Sequence, residues 1–380
     1  MKILHTADLH LGRQFNGLAL DADHQTVLDQ IVDATLSHKP DVLIIAGDIF
    51  DRASPPATAV RQFNEFVTRI AQESAAALVM IAGNHDSGDR IGAMSIMTDR
   101  RRALIRGPLH PDETPLILND VHGPVAISAL PFAYEYAARE CYQDETIAQP
   151  EHVIRAQIAS ARRHLPDGAR WVIVSHAFVA GVRTSEGERS LVRAGGIEAV
   201  SPRVFEGAHY VALGHIHRPQ TAGANHIRYS GAPLAFGFDE AGDEKSMCIV
   251  DLGPDGIAEI ETIPFVPLRS ARVLRGLLDD LLNAAPSDDI IKVVLTDETP
   301  RIDPMKRLRE IYPNACQLTY SRDDRTVSAT LSQIVESKAA RPIDVIGDFL
   351  LQVRGNGLDS SELPLVASAL HELKQQETAA

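Results

Sequence analysis

The chain has 380 residues, of which 44% are hydrophobic, and a formal net charge of −14. This length predicts two or three domains, and the lack of any run of 18 apolar residues argues against a membrane span. The acidic balance argues against broad, nonspecific nucleic-acid binding, although bound divalent metals or a local basic stripe would reverse the field where they lie.

The cysteines and the N-terminal stretch indicate a compartment. Cys141, Cys248 and Cys316 are widely spaced and fit neither a disulfide framework nor a zinc finger. The opening MKILHTADLHLG lacks the apolar stretch of a secretory signal. Both features predict a cytoplasmic protein.

The first part of the chain alternates predicted strands and helices. KILHTAD (2–8), DVLIIAGD (41–48) and ALVMIAG (77–83) are typical of buried strands, and amphipathic helices are predicted at 23–38 and after Pro56. This βαβαβ order predicts parallel strands with functional groups at their carboxyl ends.

Further strands follow as far as residue 265. They are predicted at 124–131, 169–176, 209–215, 245–252 and 257–265. So many strands exceed one small open sheet. We therefore expect an α/β fold, a two-sheet sandwich flanked by helices, that fills a first domain of residues 1–267.

The pattern restarts after Pro267. Residues 268–325 predict a small β-α-β-α-β domain, and residues 326–342 predict a polar linker. Residues 343–380 contain two short amphipathic helices, which cannot bury their apolar faces on each other completely. They dock either on a partner or back on the body of the chain.

Polar clusters follow five of the predicted strands. They are Asp8 with His10, Asp48 with Asp51, Asn84 with His85 and Asp86, His176, and His215 with His217. Because parallel strands end at one edge of a sheet, the clusters predict one shared polar site. Carboxylates, imidazoles and an amide oxygen suit manganese or iron better than a zinc–thiolate centre.

The spacing within the clusters indicates how they hold metal. Residues i and i+2 of an extended segment point the same way, so Asp8 and His10 can grip one ion together. His215 and His217 can do the same or reach two neighbouring ions. Asp48 is the natural candidate for a carboxylate that bridges two ions.

These motifs resemble a known superfamily. D-x-H, G-D-x-x-D, G-N-H-D, a strand-end His and G-H-x-H, in this order, are the signatures of calcineurin-like metallophosphoesterases. HTADLHLG, LIIAGDIFDRASPP, YVALGHIHRPQ and YSGAPLAFGF are similar to the D-subunit family of bacterial SbcCD nucleases, and so is LTDETPRIDPMKRLREIYPNA. The resemblance covers residues 1 to about 325, with a weaker similarity in the C-terminal part, and it implies that residues 268–325 form a capping domain that faces DNA.

The resemblance implies two divalent ions, for which we expect Mn²⁺, with Mg²⁺ and Fe²⁺ as alternatives. The first would be held by Asp8, His10, Asp48 and His217, and the second by Asp48, Asn84, His176 and His215. His85 would be the catalytic histidine that is not a ligand, and Asp86 would orient its ring.

The resemblance also implies an activity and a partner. The family cleaves DNA as a double-strand exonuclease and as a single-strand and hairpin endonuclease, in DNA repair, recombination and replication. Its partner is the coiled-coil ATPase SbcC, in a heterotetramer with two copies of each subunit. No P-loop occurs here, so this chain would bind no nucleotide. We expect the helices of 343–373 to dock on SbcC, and leave open whether the isolated chain forms a homodimer.

Arginines gather after the GNHD motif. They are Arg90, Arg100, Arg101, Arg102 and Arg106. They predict a patch that contacts DNA phosphates, and a solvated helix end or loop explains them about equally well.

Two other functions stay open at this point. One is a phosphodiesterase of the same fold that acts on a small phosphoester, and the other is a scaffold without activity that regulates an ATPase. The second domain argues against the first, because a small substrate does not require it. The complete motifs argue against the second.

Overall fold

The computed structural model describes residues 1–96, 99, 101–188, 192–193, 196–197, 199–321, 350, 359 and 362–366. Its strands are β1 Lys2–Thr6, β2 Gln14–Phe15, β3 Leu18–Ala19, β4 Val42–Ile45, β5 Ala77–Ile81, β6 Ala103–Arg106, β7 Leu116–Asp120, β8 Gly123–Leu130, β9 Arg170–His176, β10 Val192–Arg193, β11 Gly196–Ile197, β12 Tyr210–Gly214, β13 Gln220–Ala222, β14 Ala224–Tyr229, β15 Ser246–Gly253, β16 Gly256–Pro264, β17 Ala271–Gly276, β18 Ile290–Leu295 and β19 Ala315–Tyr320. Its α-helices are α1 Asp21–His38, α2 Ala57–Glu73, α3 Gly88–Ala93, α4 Glu135–Tyr142, α5 Pro150–Arg162, α6 Leu278–Leu282 and α7 Pro304–Ile311, with 3₁₀ turns at Pro202–Phe205 and Phe238–Glu240.

Two six-stranded sheets form the body of the fold. The first has the order β16-β15-β1-β4-β5-β6, and its strands β1, β4, β5 and β6 run parallel. The second has the order β13-β14-β12-β9-β8-β7, and its strands β8, β9, β12 and β14 run parallel. The expected two-sheet α/β sandwich is confirmed, as are the parallel strands of its first half.

Three apolar layers hold the sandwich together. One layer lies between the sheets and includes Val42, Ile44 and Val172. Their neighbours in sequence, such as Leu43, point to the opposite face and pack with residues of α1 and α2. The outer face of the second sheet packs with α5. The strands therefore bury both faces, which explains why they appear in the sequence as continuous apolar runs.

A polar contact crosses the layer between the sheets. The His5 ring on β1 is buried, with Nδ1 2.8 Å from the Tyr210 hydroxyl and Nε2 3.2 Å from the Leu213 carbonyl oxygen. Burial lowers the pKa of His5 to about 3, so the ring stays neutral. Through these bonds His5 has a structural role, because it links β1 to β12, two of the strands that lead into the site.

The chain divides into two compact units. The first comprises Met1–Arg275, Asp279–Val293 and Asp303–Leu318, and the second comprises Gly276–Leu278, Val294–Ile302 and Thr319–Ala380. After residue 267 the elements follow the predicted β-α-β-α-β order, as β17, α6, β18, α7 and β19. The domain boundaries proposed from the sequence stay a prediction.

The C-terminal part of the chain is described only in part. Residues 362–366 are helical, and most of the two helices predicted within 343–373 lies outside the described residues. No helix among the described residues is long and apolar enough to cross a membrane.

Candidate metal centre

The carboxyl ends of five strands bring the predicted polar clusters together. β1, β4 and β5 of the first sheet and β9 and β12 of the second lead into them. Six of the seven predicted ligands are at most 5% exposed, and Asn84 is half-buried. Buried groups of this polarity are costly unless they pair with each other or with a cation. The clusters lie close together because the strands that precede them end at the same edge of the sandwich, as expected from the sequence.

Asp48 lies between two groups of donor atoms. On one side, its Oδ2 is 3.6 Å from His10 Nε2, which is itself 3.2 Å from His217 Nε2. On the other side, Asp48 Oδ2 is 3.5 Å from His176 Nε2, which lies 2.9 Å from Asn84 Oδ1. Asn84 Oδ1 is also 3.1 Å from His215 Nδ1. The carboxylate is therefore placed where a bridge between two ions would be.

Asp8 connects the two sheets at this edge. Its carboxylate oxygens accept hydrogen bonds from the backbone N–H of His215 at 2.9 and 3.1 Å. Asp8 Oδ1 also lies 3.9 Å from His176 Nδ1. The residue therefore joins the end of β1 to the end of β12 and the end of β9.

Several of the predicted ligands have a strained backbone with a positive φ angle. Asp8, His10, Asp48 and His215 have φ angles of 55°, 46°, 49° and 105°, and they are four of the eight described residues other than glycine with positive φ. This region of φ is disfavoured for residues with a Cβ and persists where the surroundings impose it. The fold holds these side chains at a conformational cost, as functional sites commonly do.

Two glycines permit the close approach of these elements. A Cβ on Gly83 would overlap the backbone and side chain of Asp48, and a Cβ on Gly214 would overlap the carbonyl oxygen of Ala46. Any larger residue at either position would force the strand ends apart. The G-N-H-D and G-H-x-H motifs need glycine for this packing reason.

The donor atoms fit divalent ions. Neighbouring ligands of an octahedral ion with bonds of ~2.1 Å lie ~3 Å apart, and the donor separations around Asp48 are 2.9 to 3.6 Å. The two facing Nε2 atoms of His10 and His217 cannot both donate to each other, whereas both can bind a cation. Oxygen and imidazole donors without thiolate suit manganese, iron or magnesium.

The electrostatics of the cluster also fit cations. Burial raises the pKa of Asp8 well above its ordinary value. Burial acts on Asp48 in the same direction, but the rings of His176, His10 and His85 together outweigh it and keep the Asp48 pKa well below its usual range. Burial likewise lowers the pKa of His215 to about 3, so this imidazole keeps a free lone pair. Divalent ions would compensate the carboxylates that burial disfavours.

Two family models match the chain. Residues 1–219, more than half of the chain, match the family model of the calcineurin-like phosphoesterases. The chain belongs to the calcineurin-like phosphoesterases. Residues 264–354 match a second model, SbcD_C, described as the type 5 capsule protein repressor C-terminal domain. This pair of domains is that of an SbcD-type nuclease subunit, as the sequence motifs predicted.

The phosphoesterase fold binds divalent metals and hydrolyses phosphoesters. Among the described residues, two sets of side chains offer donor atoms within 4.8 Å of one another, Asp8 with Asp48 and His176, and His10 with Asp51 and His85. The first set consists of predicted ligands, but it combines Asp8, assigned to the first ion, with His176, assigned to the second, and it does not include His10. The second includes Asp51, which the sequence reasoning did not assign as a ligand, and His85, which it assigned to catalysis.

The phosphoesterase orients His85 differently from the prediction. His85 Nδ1–H donates a hydrogen bond to the carbonyl oxygen of Asp51 at 2.7 Å, which leaves Nε2 facing the site, 4.0 Å from Asp48 Oδ2. The Asp86 carboxylate instead accepts hydrogen bonds from the backbone N–H groups of Ile49, Phe50 and Gly83 at 2.9 to 3.0 Å. The expectation that Asp86 orients the His85 ring is therefore wrong. A carboxylate saturated by backbone donors clamps the β4 and β5 ends together.

The sequence reasoning missed a buried network around His217. Glu240 Oε1 is 3.5 Å from His217 Nδ1, and Lys245 Nζ donates to the His217 carbonyl at 3.0 Å and to Glu240 at 2.5 Å. Glu188 Oε1 accepts from the His217 backbone N–H at 2.8 Å. These residues fix the ring and backbone of a predicted ligand. Glu240 and Lys245 lie beyond the strand-end motifs, so no spacing signal marked them.

The arginines proposed to contact DNA have different surroundings. Arg90 and Arg101 are exposed, Arg102 donates to the Ser74 carbonyl at 3.1 Å, and Arg106 pairs with Glu113 at 3.3 Å. Arg100 lies outside the described residues. Arg106 is thus largely neutralised by its partner. The patch stays a prediction.

Proposed function

We propose that the chain is the nuclease subunit of an SbcCD-type complex and hydrolyses DNA phosphodiester bonds with two divalent ions, manganese being the working metal. The observation that carries the proposal is Asp48 between two donor groups, in a chain that also carries an SbcD_C domain. The proposed ligands are Asp8, His10, Asp48, Asn84, His176, His215 and His217. When bound, the two ions would neutralise the phosphodiester and clamp its attacking and leaving oxygens.

The residues of the chain divide the remaining work. The Asp51 carbonyl fixes the tautomer of His85, so that Nε2 faces the reacting group. When Nε2 also carries a proton, so that the ring is an imidazolium, His85 stabilises charge on the scissile phosphate or gives this proton to the leaving oxygen. The Glu240 carboxylate, held by Lys245, positions His217.

The finer activities follow from the resemblance to SbcCD nucleases. We propose exonuclease action on double-stranded ends under control of the SbcC ATPase, and endonuclease action on single strands and hairpins. The setting would be DNA repair, recombination and replication in the cytoplasm. The partner would also supply much of the basic surface that DNA binding needs, because this chain has a net charge of −14.

One assay tests the proposal. The purified chain is incubated with Mn²⁺ and offered single-stranded DNA, hairpin DNA, a cyclic nucleotide and an aryl phosphate ester. We expect cleavage of both DNA substrates. Hydrolysis of only the small esters would favour the phosphodiesterase alternative, and no hydrolysis of any substrate would favour the scaffold alternative.

Deletion of residues 340–380 tests the partner contact. We expect the shortened chain to keep manganese-dependent cleavage of single strands and to lose its complex with SbcC. A complex that survives the deletion refutes this docking site. Cleavage lost together with the complex would show that the segment supports the fold.

A further inference from the structure

An aromatic cluster beside the metal centre has no role in the mechanism described so far. Phe132, Tyr134 and Tyr136 occur at two-residue intervals between the end of β8 and the first turn of α4. The rings of Tyr134 and Tyr136 stack, with centroids 5.8 Å apart and planes inclined by 11°. Phe132 meets Tyr134 edge-on at 5.1 Å. We call these three side chains the aromatic step.

The aromatic step is attached to the metal centre. The Phe132 backbone N–H donates to the Ala82 carbonyl at 2.9 Å, two residues before Asn84. The Phe132 ring also lies edge-on to the His176 ring, with centroids 6.4 Å apart. A cavity of about 490 Å³ is lined by Asn84 together with all three rings of the step. A group bound on the step would therefore lie next to a proposed ligand.

The exposure of the step indicates a ligand with a flat apolar face. Tyr134 is 43% exposed and Tyr136 is 65% exposed. Single exposed aromatic residues are common, whereas a stacked pair in a groove beside a reactive centre calls for a partner. The volume lies within the range of small-ligand sites.

The charges of the cavity distinguish a base from a phosphate. Among the described residues that line it are Asp86 and Glu140, and none of them is a lysine or an arginine. Such a lining repels a phosphate group and accepts a neutral ring. Every nucleobase has a π face that stacks on aromatic side chains.

We propose that the aromatic step stacks the base of an unpaired nucleotide next to the phosphodiester bound at the metal centre. A base inside an intact duplex is covered on both faces by its neighbours, so only unpaired or frayed nucleotides can use the step. The step thereby selects single strands, hairpin loops and opened ends as substrates. This inference rests on the proposed nuclease function and names the residues that determine its substrate.

The test compares two double variants with the unsubstituted chain. Tyr134→Ala with Tyr136→Ala removes both rings, and the matched control, Tyr134→Phe with Tyr136→Phe, keeps them. The substrates are a single-stranded oligonucleotide and the same oligonucleotide with abasic sites flanking the cleaved bond. We expect the alanine variant to raise KM for the intact oligonucleotide about 5- to 150-fold, with kcat nearly unchanged, because one base–aromatic stack is lost.

The abasic substrate distinguishes base stacking from a merely structural role of the two tyrosines. With no base to stack, all three proteins should share one KM, and the phenylalanine variant should match the unsubstituted chain on both substrates. An alanine variant whose KM is unchanged on the intact oligonucleotide overturns the inference. So does an equal rise in KM on both substrates, because that effect would not depend on the base.

A binding measurement separates this inference from the proposed function. Fluorescence anisotropy gives Kd for a nuclease-resistant phosphorothioate oligonucleotide in the presence of Mn²⁺. If the unsubstituted chain binds it and the alanine variant binds more weakly, but neither cleaves DNA, the stacking inference holds and the nuclease function fails. If the chain cleaves DNA and the alanine variant binds equally well, only the inference fails. Unchanged binding with loss of the SbcC complex would identify a protein-docking face and would also overturn it.

Discussion

Replacing His85 by alanine separates metal binding from catalysis at this centre. The contact of His85 that supports Asp48 is made by its backbone N–H, at 2.8 Å from Asp48 Oδ1. This bond survives the substitution. We therefore expect His85→Ala to keep both ions and to lose most of the hydrolysis.

The geometry of the ring sets the size of the effect. The ring is 8% exposed and is held by the Asp51 carbonyl at 2.7 Å, with its centroid 4.7 Å from that of His10. A buried group that is held in position before the reaction loses no free energy to reorganisation when charge develops. Removing one such group costs ~100- to 1,000-fold in kcat, or ~2.7–4 kcal/mol.

Two measurements on the same preparation decide the outcome. Metal content is determined by mass spectrometry, and the rate is measured on a single-stranded oligonucleotide. The matched control is His122→Ala. His122 is exposed and lies just before the first residue of β8, whereas the metal centre lies at the carboxyl ends of the strands. If His85→Ala loses an ion, His85 is a ligand together with His10 and Asp51, and the catalytic role assigned to it is wrong.

Three further substitutions test the rest of the site and its support. Asp48→Asn should lose both ions, because Asp48 faces both donor groups, and metal analysis that finds one retained ion would exclude a bridging role. Gly214→Ala should abolish activity and lower the melting temperature, because its Cβ overlaps the Ala46 carbonyl oxygen; an unchanged melting temperature would contradict this packing. Asp120→Asn should lower the free energy of unfolding by about 2 kcal/mol at pH 7, because the buried Arg170 loses a charged acceptor. The control is Asp29→Asn, which breaks the exposed ion pair of Asp29 with Arg69 and should cost about 0–1 kcal/mol. The hydrogen bond from Arg170 holds the pKa of Asp120 below its ordinary value, so this stability is present above pH ~4 and is lost as the pH falls further. A penalty that is the same at pH 7 and pH 3 in denaturant titrations would contradict the assignment.

The sequence predicted the strands and helices whose pattern of apolar residues reflects their burial. Strands β1, β4 and β5 are short apolar runs that end in polar residues, and α2 begins directly after Pro56 as expected. The short edge strands were missed. β6 and β7 carry mixed residues, because edge strands bury less apolar surface and depend on tertiary pairing for their conformation.

The sequence also predicted where the site lies but not how each residue is held. Side-chain identity placed His85 and Asp86 together, and the natural inference was that the carboxylate orients the ring. The ring is instead held by a main-chain carbonyl, that of Asp51, which no side-chain motif can reveal. Asp51 is recognisable in G-D-x-x-D, whereas Glu188 lies in a loop far from every motif and is found only in three dimensions.

The acidic composition of the chain is compatible with the proposed polyanionic substrate, because the charges of the surface and those of the metal centre act over different distances. Exposed carboxylates are screened by salt within ~8–10 Å. Asp8 and Asp48 are buried, so charges placed among them are screened far less. Two divalent ions there would add four positive charges to a pocket whose imidazoles at His10 and His215 are kept neutral by burial. The field that a bound phosphate meets is therefore set by this pocket and not by the net charge of the chain.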